Sequence, residues 1–209
     1  MDVTRDAPTN NWLTQGRSST QDTRHAQEVA PANLPAQVLR PQPHSVPAPA
    51  GGLGFAHPQY TVPGVLTWVG CHGGAGVTTL EHALPGGRDG SRMWPGAVPG
   101  PTVPVLLVCR SHVPGLMAAQ TAVRQWASGS VPGVDLLGLV VVADAPGSMP
   151  RPIKDLATLV RGGVSRSWFV PWVEPWRFGE NPAAHLPRPL ARLRSELAHH
   201  FTSTGSSHV

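Results

Sequence analysis

The sequence predicts an α/β fold: a small three-layer domain built on a parallel sheet, behind a disordered N-terminal tail. Three observations carry this. Unbroken apolar runs recur at residues 65–69 (VLTWV), 105–109 (VLLVC) and 136–143 (LLGLVVVA), and a run that does not alternate is how a strand covered on both faces reads. The segments between them place apolar residues at helical spacing, and strands separated by single helices make a parallel sheet. Before residue 60 neither period is sustained.

Taken in order, residues 1–60 form the tail. Such a segment cannot bury enough apolar surface to offset its ordering entropy, although a short helix over 22–29 is possible. The strand 65–69 runs into a glycine loop, and a helix over 78–84 follows until Pro85-Gly86-Gly87 stops it. Glycine (23) and proline (24) exceed a fifth of the 209 residues. Their density over 85–103 predicts an irregular loop. After the strand 105–109, Pro114 suits the first turn of a helix reaching about Ala127. Leu116, Ala119, Val123 and Trp126 share one face of it. The strand 136–143 precedes a helix from about Pro152, with Ile153, Leu156, Ala157 and Val160 inward. Trp168-Phe169-Val170 is a last short strand. A helix from about Pro189 to Phe201 carries Leu190, Leu193, Leu197 and Phe201 and closes the domain at 201, leaving 202–209 as a disordered end.

Composition removes several classes of function. The formal net charge is +4, and Lys154 is the one lysine among 16 basic residues. The arginines are scattered, which argues against a nucleic-acid face. Two cysteines make no disulfide framework, so a reducing, cytoplasmic setting is expected. No charged start precedes an apolar stretch, so no secretory signal is expected. No apolar run approaches the ~20 residues of a membrane helix.

Residues 71–80 read CHGGAGVTTL. Gly73, Gly74 and Gly76 let a backbone curl until its N–H groups point inward, as phosphate binding requires. Thr78 stands where a magnesium-holding hydroxyl belongs, and the strand–loop–helix context is the one such a loop needs. The pattern resembles the variant loop of the MinD/ParA family of SIMIBI-type P-loop ATPases, K-G-G-x-G-K-[ST]-[ST]. It is read here as His72-Gly73-Gly74-Ala75-Gly76-Val77-Thr78-Thr79. Both departures fall on lysines: His72 replaces the signature lysine, which in that family reaches across a dimer, and Val77 replaces the loop lysine. The resemblance implies a P-loop NTPase-like domain and a nucleotide site over Gly73 to Thr79. It further implies ATP or ADP with magnesium on Thr78, and a face-to-face homodimer with His72 at its interface. Fainter similarity continues through LLVCRSHVPGLMAAQTAVRQW, LLGLVVVADAP and FVPWVEPWR, the last near the family's adenine pocket, so that residues 64–200 are covered. The family's middle portion, with its catalytic aspartate and switch regions, is replaced by 85–103, where Asp89 is the only acid as far as residue 110. In overall pattern the chain also resembles an uncharacterised actinobacterial family of unknown function.

The missing lysines decide the expected chemistry. A charged donor on a phosphate is worth about 1.5–3 kcal/mol, and the same charge is needed in the transition state. Valine supplies neither. The expected function is therefore that of a non-hydrolysing pseudo-ATPase, binding nucleotide or a protein partner, with Arg110 and Arg177 lending charge from neighbouring loops. Two readings of the loop stay open, a retained nucleotide site and a turn that merely packs. Asp144 ends a strand as a magnesium-holding aspartate would, so an active magnesium-dependent ATPase of the partition or positioning type, using Thr78 and Asp144, is the alternative. A structural adaptor whose tail recruits a partner is a third.

Other chemistries have less support. No G-x-S-x-G elbow marks a serine hydrolase, and Cys71, His72, His82 and Cys109 lack metal-ligand spacing. Trp168, Trp172 and Trp176 recur every fourth residue, but Pro171 and Pro175 argue against a helix there. They are expected to cap the sheet edge or to stack on a base.

Overall fold

The computed structural model describes residues 39–205. The expected helix over 22–29 and the rest of 1–38 lie outside the described residues, as does 206–209. Seven strands are β1 (Gly54–Phe55), β2 (Thr67–Gly70), β3 (Arg88–Asp89), β4 (Met93–Trp94), β5 (Val103–Arg110), β6 (Val134–Val142) and β7 (Ser167–Val170). The α-helices are α1 (Val77–Ala83), α2 (Val113–Ala127), α3 (Arg151–Arg161), the single turn α4 (Glu174–Arg177) and α5 (Arg188–Gly205).

Five strands form one all-parallel sheet in the order β3-β2-β5-β6-β7. Alternate residues of each strand enter opposite cores. Val69, Val105, Leu107, Leu139 and Val141 pack with Leu116, Ala119, Val123 and Trp126 of α2 and Ala157 and Val160 of α3. Trp68, Leu106, Val108, Val140 and Val170 pack with Val77, Leu80 and Ala83 of α1 and Leu190 and Leu193 of α5. Each central strand is thus buried on both faces, which is why its sequence does not alternate. The order of strands reverses direction at β2 and β5, and open α/β sheets bind ligands at the carboxyl ends of the strands at such a point.

Four expectations are corrected. Residues 39–60 are not part of a tail but a strap on the domain. Leu39 N–H donates to Ser165 Oγ at 3.0 Å, and Gln42 N–H to the Ala127 carbonyl at 2.6 Å. Gln125 brackets Leu53 in both directions, accepting from its N–H and donating to its carbonyl, each at 2.9 Å. The same Oε1 accepts from Nε1 of the fully buried Trp94 at 2.8 Å. The 85–103 loop is not irregular throughout, because β3 adds an edge strand beside β2 and β4 pairs with β1. Pro175 does not exclude a helix; it sits in the first turn of α4, where its missing N–H costs nothing. Finally, α5 runs to Gly205, past the expected end at 201, and Phe201 is exposed.

Gly138 shows why strand β6 carries a glycine. The register slips there, Leu136 facing Val105 and Gly138 facing Leu106. A Cβ at Gly138 would lie 2.4 Å from the Arg166 carbonyl oxygen. The bulge and the close approach of β7 leave no room for a side chain.

Candidate functional site

The loop from Cys71 to Gly76 leaves β2 at the reversal point, tied down by Cys71 N–H to the Val108 carbonyl at 2.8 Å and Gly70 N–H to the Ser91 carbonyl at 2.7 Å. Gly74 (φ 73°) and Gly76 (φ 102°) take the left-handed conformation that glycine adopts without strain. Among the described residues no acceptor meets the N–H groups of Gly73, Gly74 or Gly76. The loop glycines line a cleft of about 390 Å³ together with His72, Thr78, Thr79, Asp89, Ser91, Arg92 and Arg110.

Val77 does not enter the chemistry of this cleft through its side chain. It is buried, packed with Leu80 and Trp68 beneath the loop. Two arginines line the cleft, the exposed Arg92 and, at the end of β5, Arg110. Arg110 donates from Nε to the Gly74 carbonyl at 3.2 Å and from Nη1 to the Ala143 carbonyl at 2.9 Å. Two bonds to backbone oxygens hold the guanidinium against the loop, at the rim of the cleft.

Thr78 donates from Oγ1 to Asp89 Oδ2 at 2.9 Å. The other carboxylate oxygen of Asp89 accepts from Ser91 N–H at 2.6 Å, and the Asp89 N–H is held by Glu81 Oε1 at 3.2 Å. Asp144 takes no part in this cluster. It is exposed, lines neither the glycine-loop cleft nor its neighbour, and its N–H donates to Ser111 Oγ at 3.0 Å.

That neighbour is a second cleft of about 250 Å³, sharing Gly76, Thr79 and Arg110 with the first and walled by Trp172, Trp176 and Arg177. The Arg177 guanidinium lies 5.6 Å from the centre of the Trp172 ring, and the Trp172 indole N–H donates to Glu174. The Trp176 indole N–H is buried with no acceptor among the described residues. Two tryptophans that wall an open cleft can take a flat ring against their faces.

On the other side of the loop stand two histidines. His72 Nε2 accepts from Arg110 N–H at 3.0 Å, and its Nδ1 lies 2.8 Å from the Gly73 carbonyl. This fixes the ring as neutral with the proton on Nδ1. His112 caps α2, its Nδ1 accepting from Gly115 N–H at 2.9 Å. The two rings are 4.9 Å apart. Burial lowers the His72 pKa below the usual histidine value. The charges of His112 and Arg110 lower it further, against the Gly73 carbonyl and Asp144, which raise it. Gly115 makes room for this packing, since a Cβ there would lie 2.8 Å from His72 Nε2 and 2.7 Å from the Arg110 carbonyl oxygen.

Of the expected site residues, His72 to Thr79 and Arg110 share one cleft, Arg177 stands in the adjoining one, and Asp144 stands apart. Sequence reasoning missed Asp89, Ser91, His112 and Gly115. The Asp89 signal was its solitude in a Gly/Pro-rich stretch, which concealed that β3 would return it to Thr78. Among the described residues no three His, Cys, Asp or Glu side chains converge to hold a metal ion unaided, and no helix is long and apolar enough to cross a membrane. No curated protein and no solved structure matches the chain. A family model does match, over residues 64–194, from just before β2 into α5, and the chain belongs to that family, the family of unknown function DUF6668.

Proposed function

We propose that this chain is a degenerate MinD/ParA-like phosphate-loop protein that binds a nucleotide, or a partner through the nucleotide-bound state, and does not hydrolyse it. One observation carries the reading: the Arg110 guanidinium, bonded to Gly74 and Ala143, supplies from β5 the cation that Val77 cannot. The glycine N–H groups would meet phosphate oxygens, and Arg110 would neutralise their charge from the rim. The second cleft would take the base between Trp172 and Trp176.

Magnesium fits the cluster at the foot of the loop. The Thr78 hydroxyl and the Asp89 carboxylate present hard oxygen ligands side by side, and magnesium bound with phosphates needs only one or two from the protein. Bound there, the ion would screen the charge of the phosphates. The residues of the chain then bind and orient: two carbonyls hold Arg110 at the rim, from which it would meet the phosphates, and the exposed Arg92 lines the same cleft. The test is calorimetric titration of the full chain with ATP, ADP and GTP, with and without magnesium, alongside a phosphate-release assay. Saturable binding without release supports the reading, and no binding at millimolar nucleotide refutes it.

The contact of Thr78 with Asp89 favours a second reading, an active magnesium-dependent ATPase with Asp89 in the place first assigned to Asp144. Its signature is phosphate release that requires magnesium and disappears in Asp89→Asn.

A further inference from the structure

His72 occupies the position of a lysine, yet its ring is turned away from use as a cation. Its Nε2 accepts the Arg110 N–H, which only an unprotonated nitrogen can do, and its Nδ1 proton is engaged by the Gly73 carbonyl. Protonation at Nε2 would set one N–H against another, 3.0 Å from the Arg110 nitrogen. The ring would have to leave. Its exits are limited: Gly115 and the His112 ring close one side, and the cleft it lines is the open one. Gly73 and Gly74 have no neighbour within 4 Å of a built Cβ, so the loop surface beside the ring is clear.

We infer that His72 is the exchangeable cation of the site. Neutral, it rests on the Arg110 amide; taking a proton from solvent, it turns into the cleft and contacts the phosphate, so that nucleotide binding is coupled to proton uptake. The inference rests on reading the cleft as a phosphate site. The charged and titratable groups that act on the ring from neighbouring elements are Arg110 from β5, His112 at the start of α2 and Asp144 after β6. Burial, helped by His112 and Arg110, favours the neutral ring without a ligand. A phosphate placed between the ring and Arg110 reverses that balance, because it offers an anion to both. The loop would then bind phosphates weakly above the histidine range and more tightly below it, a dependence that a lysine would not produce.

The experiment is titration calorimetry of the full chain with ADP from about pH 5.5 to about pH 8.5, in two buffers of different ionisation enthalpy so that proton uptake is read directly. The expected result is net proton uptake and affinity about tenfold higher at the acidic end. In His72→Ala the uptake is lost, leaving only the proton release of the ADP phosphate itself, and the extra pH slope disappears. In His72→Lys affinity is high at both ends, and amide resonances outside the loop stay in place, which certifies the fold. An unchanged slope and uptake in His72→Ala would overturn the inference while leaving nucleotide binding intact. Failure of ADP to bind the unaltered chain at any pH would overturn both.

Discussion

The hydroxyl of Thr78 donates to Asp89 Oδ2 at 2.9 Å, joining the first turn of α1 to the edge strand β3 across the foot of the glycine loop. This brings together the first of the two hydroxyls in the loop motif and the one acid of the loop that follows it. If they hold magnesium together, Thr78→Ala and Asp89→Asn should each abolish the magnesium dependence of nucleotide affinity while leaving metal-free binding within about twofold. Titration with and without magnesium reads this, and a magnesium effect that survives both substitutions would remove the pair from the site.

The strap 39–60 depends on one side chain. Gln125 satisfies both backbone groups of Leu53 and the indole N–H of Trp94. Gln125→Ala leaves a fully buried tryptophan donor unpaired, a loss of about 1–3 kcal/mol. Denaturant unfolding should show the drop, and limited proteolysis should cut the strap in the variant before it cuts the unaltered chain.

Both thiols are built into the core. Burial pushes the Cys109 pKa up to about 12, and burial, reinforced by Cys109, pushes that of Cys71 well above its ordinary value. Neither offers thiolate at neutral pH. Iodoacetamide should leave both unmodified in the native chain and alkylate both after unfolding, as read by mass spectrometry. Because these pKa values are raised, the unfolded chain releases thiol protons first, so stability should fall as pH climbs above about 9.

Stability should also depend on pH at the acid end, through His72. Its pKa is lowered in the folded chain, chiefly by burial, so the unfolded chain binds that proton more readily. Stability from this source is present above the ordinary histidine pKa of about 6.5 and is lost as pH falls from there through the lowered value. Urea midpoints measured across that window should decline toward acid in the unaltered chain and decline less in His72→Ala.

The fold was legible because burial on both faces leaves short unbroken apolar runs bounded by turn residues: 105–109 lies within β5, and 136–143 runs from within β6 to one residue past its end. Their helices were legible from Leu116, Ala119, Val123 and Trp126, four residues that pack on one core. What escaped was set by contacts distant in the chain. Leu53 is held by Gln125, 72 residues away, so nothing local in the Pro-rich segment shows that it is folded. Asp89 belongs to a two-residue strand whose pairing with β2 no period can announce. Within the site the loop was legible from its glycines and threonines. The place of Arg110 in the cleft was partly so, since it follows a strand, and Asp144 stood out for the same reason yet lies outside the cleft. Position after a strand brings a residue to the correct edge of the sheet, but the hydrogen bonds to Gly74 and Ala143 are what place Arg110 in it.

The central claim, that β5 supplies the charge the loop lacks, is tested most directly by titrating ATP into the unaltered chain and into Arg110→Ala, with circular dichroism to certify the fold. A charged contact of about 1.5–3 kcal/mol corresponds to roughly 10- to 150-fold in affinity, and that loss, with no phosphate release from either protein, is the expected result. Equal affinity in the two proteins would show that the Arg110 guanidinium only braces the loop, and the account of the site would fail.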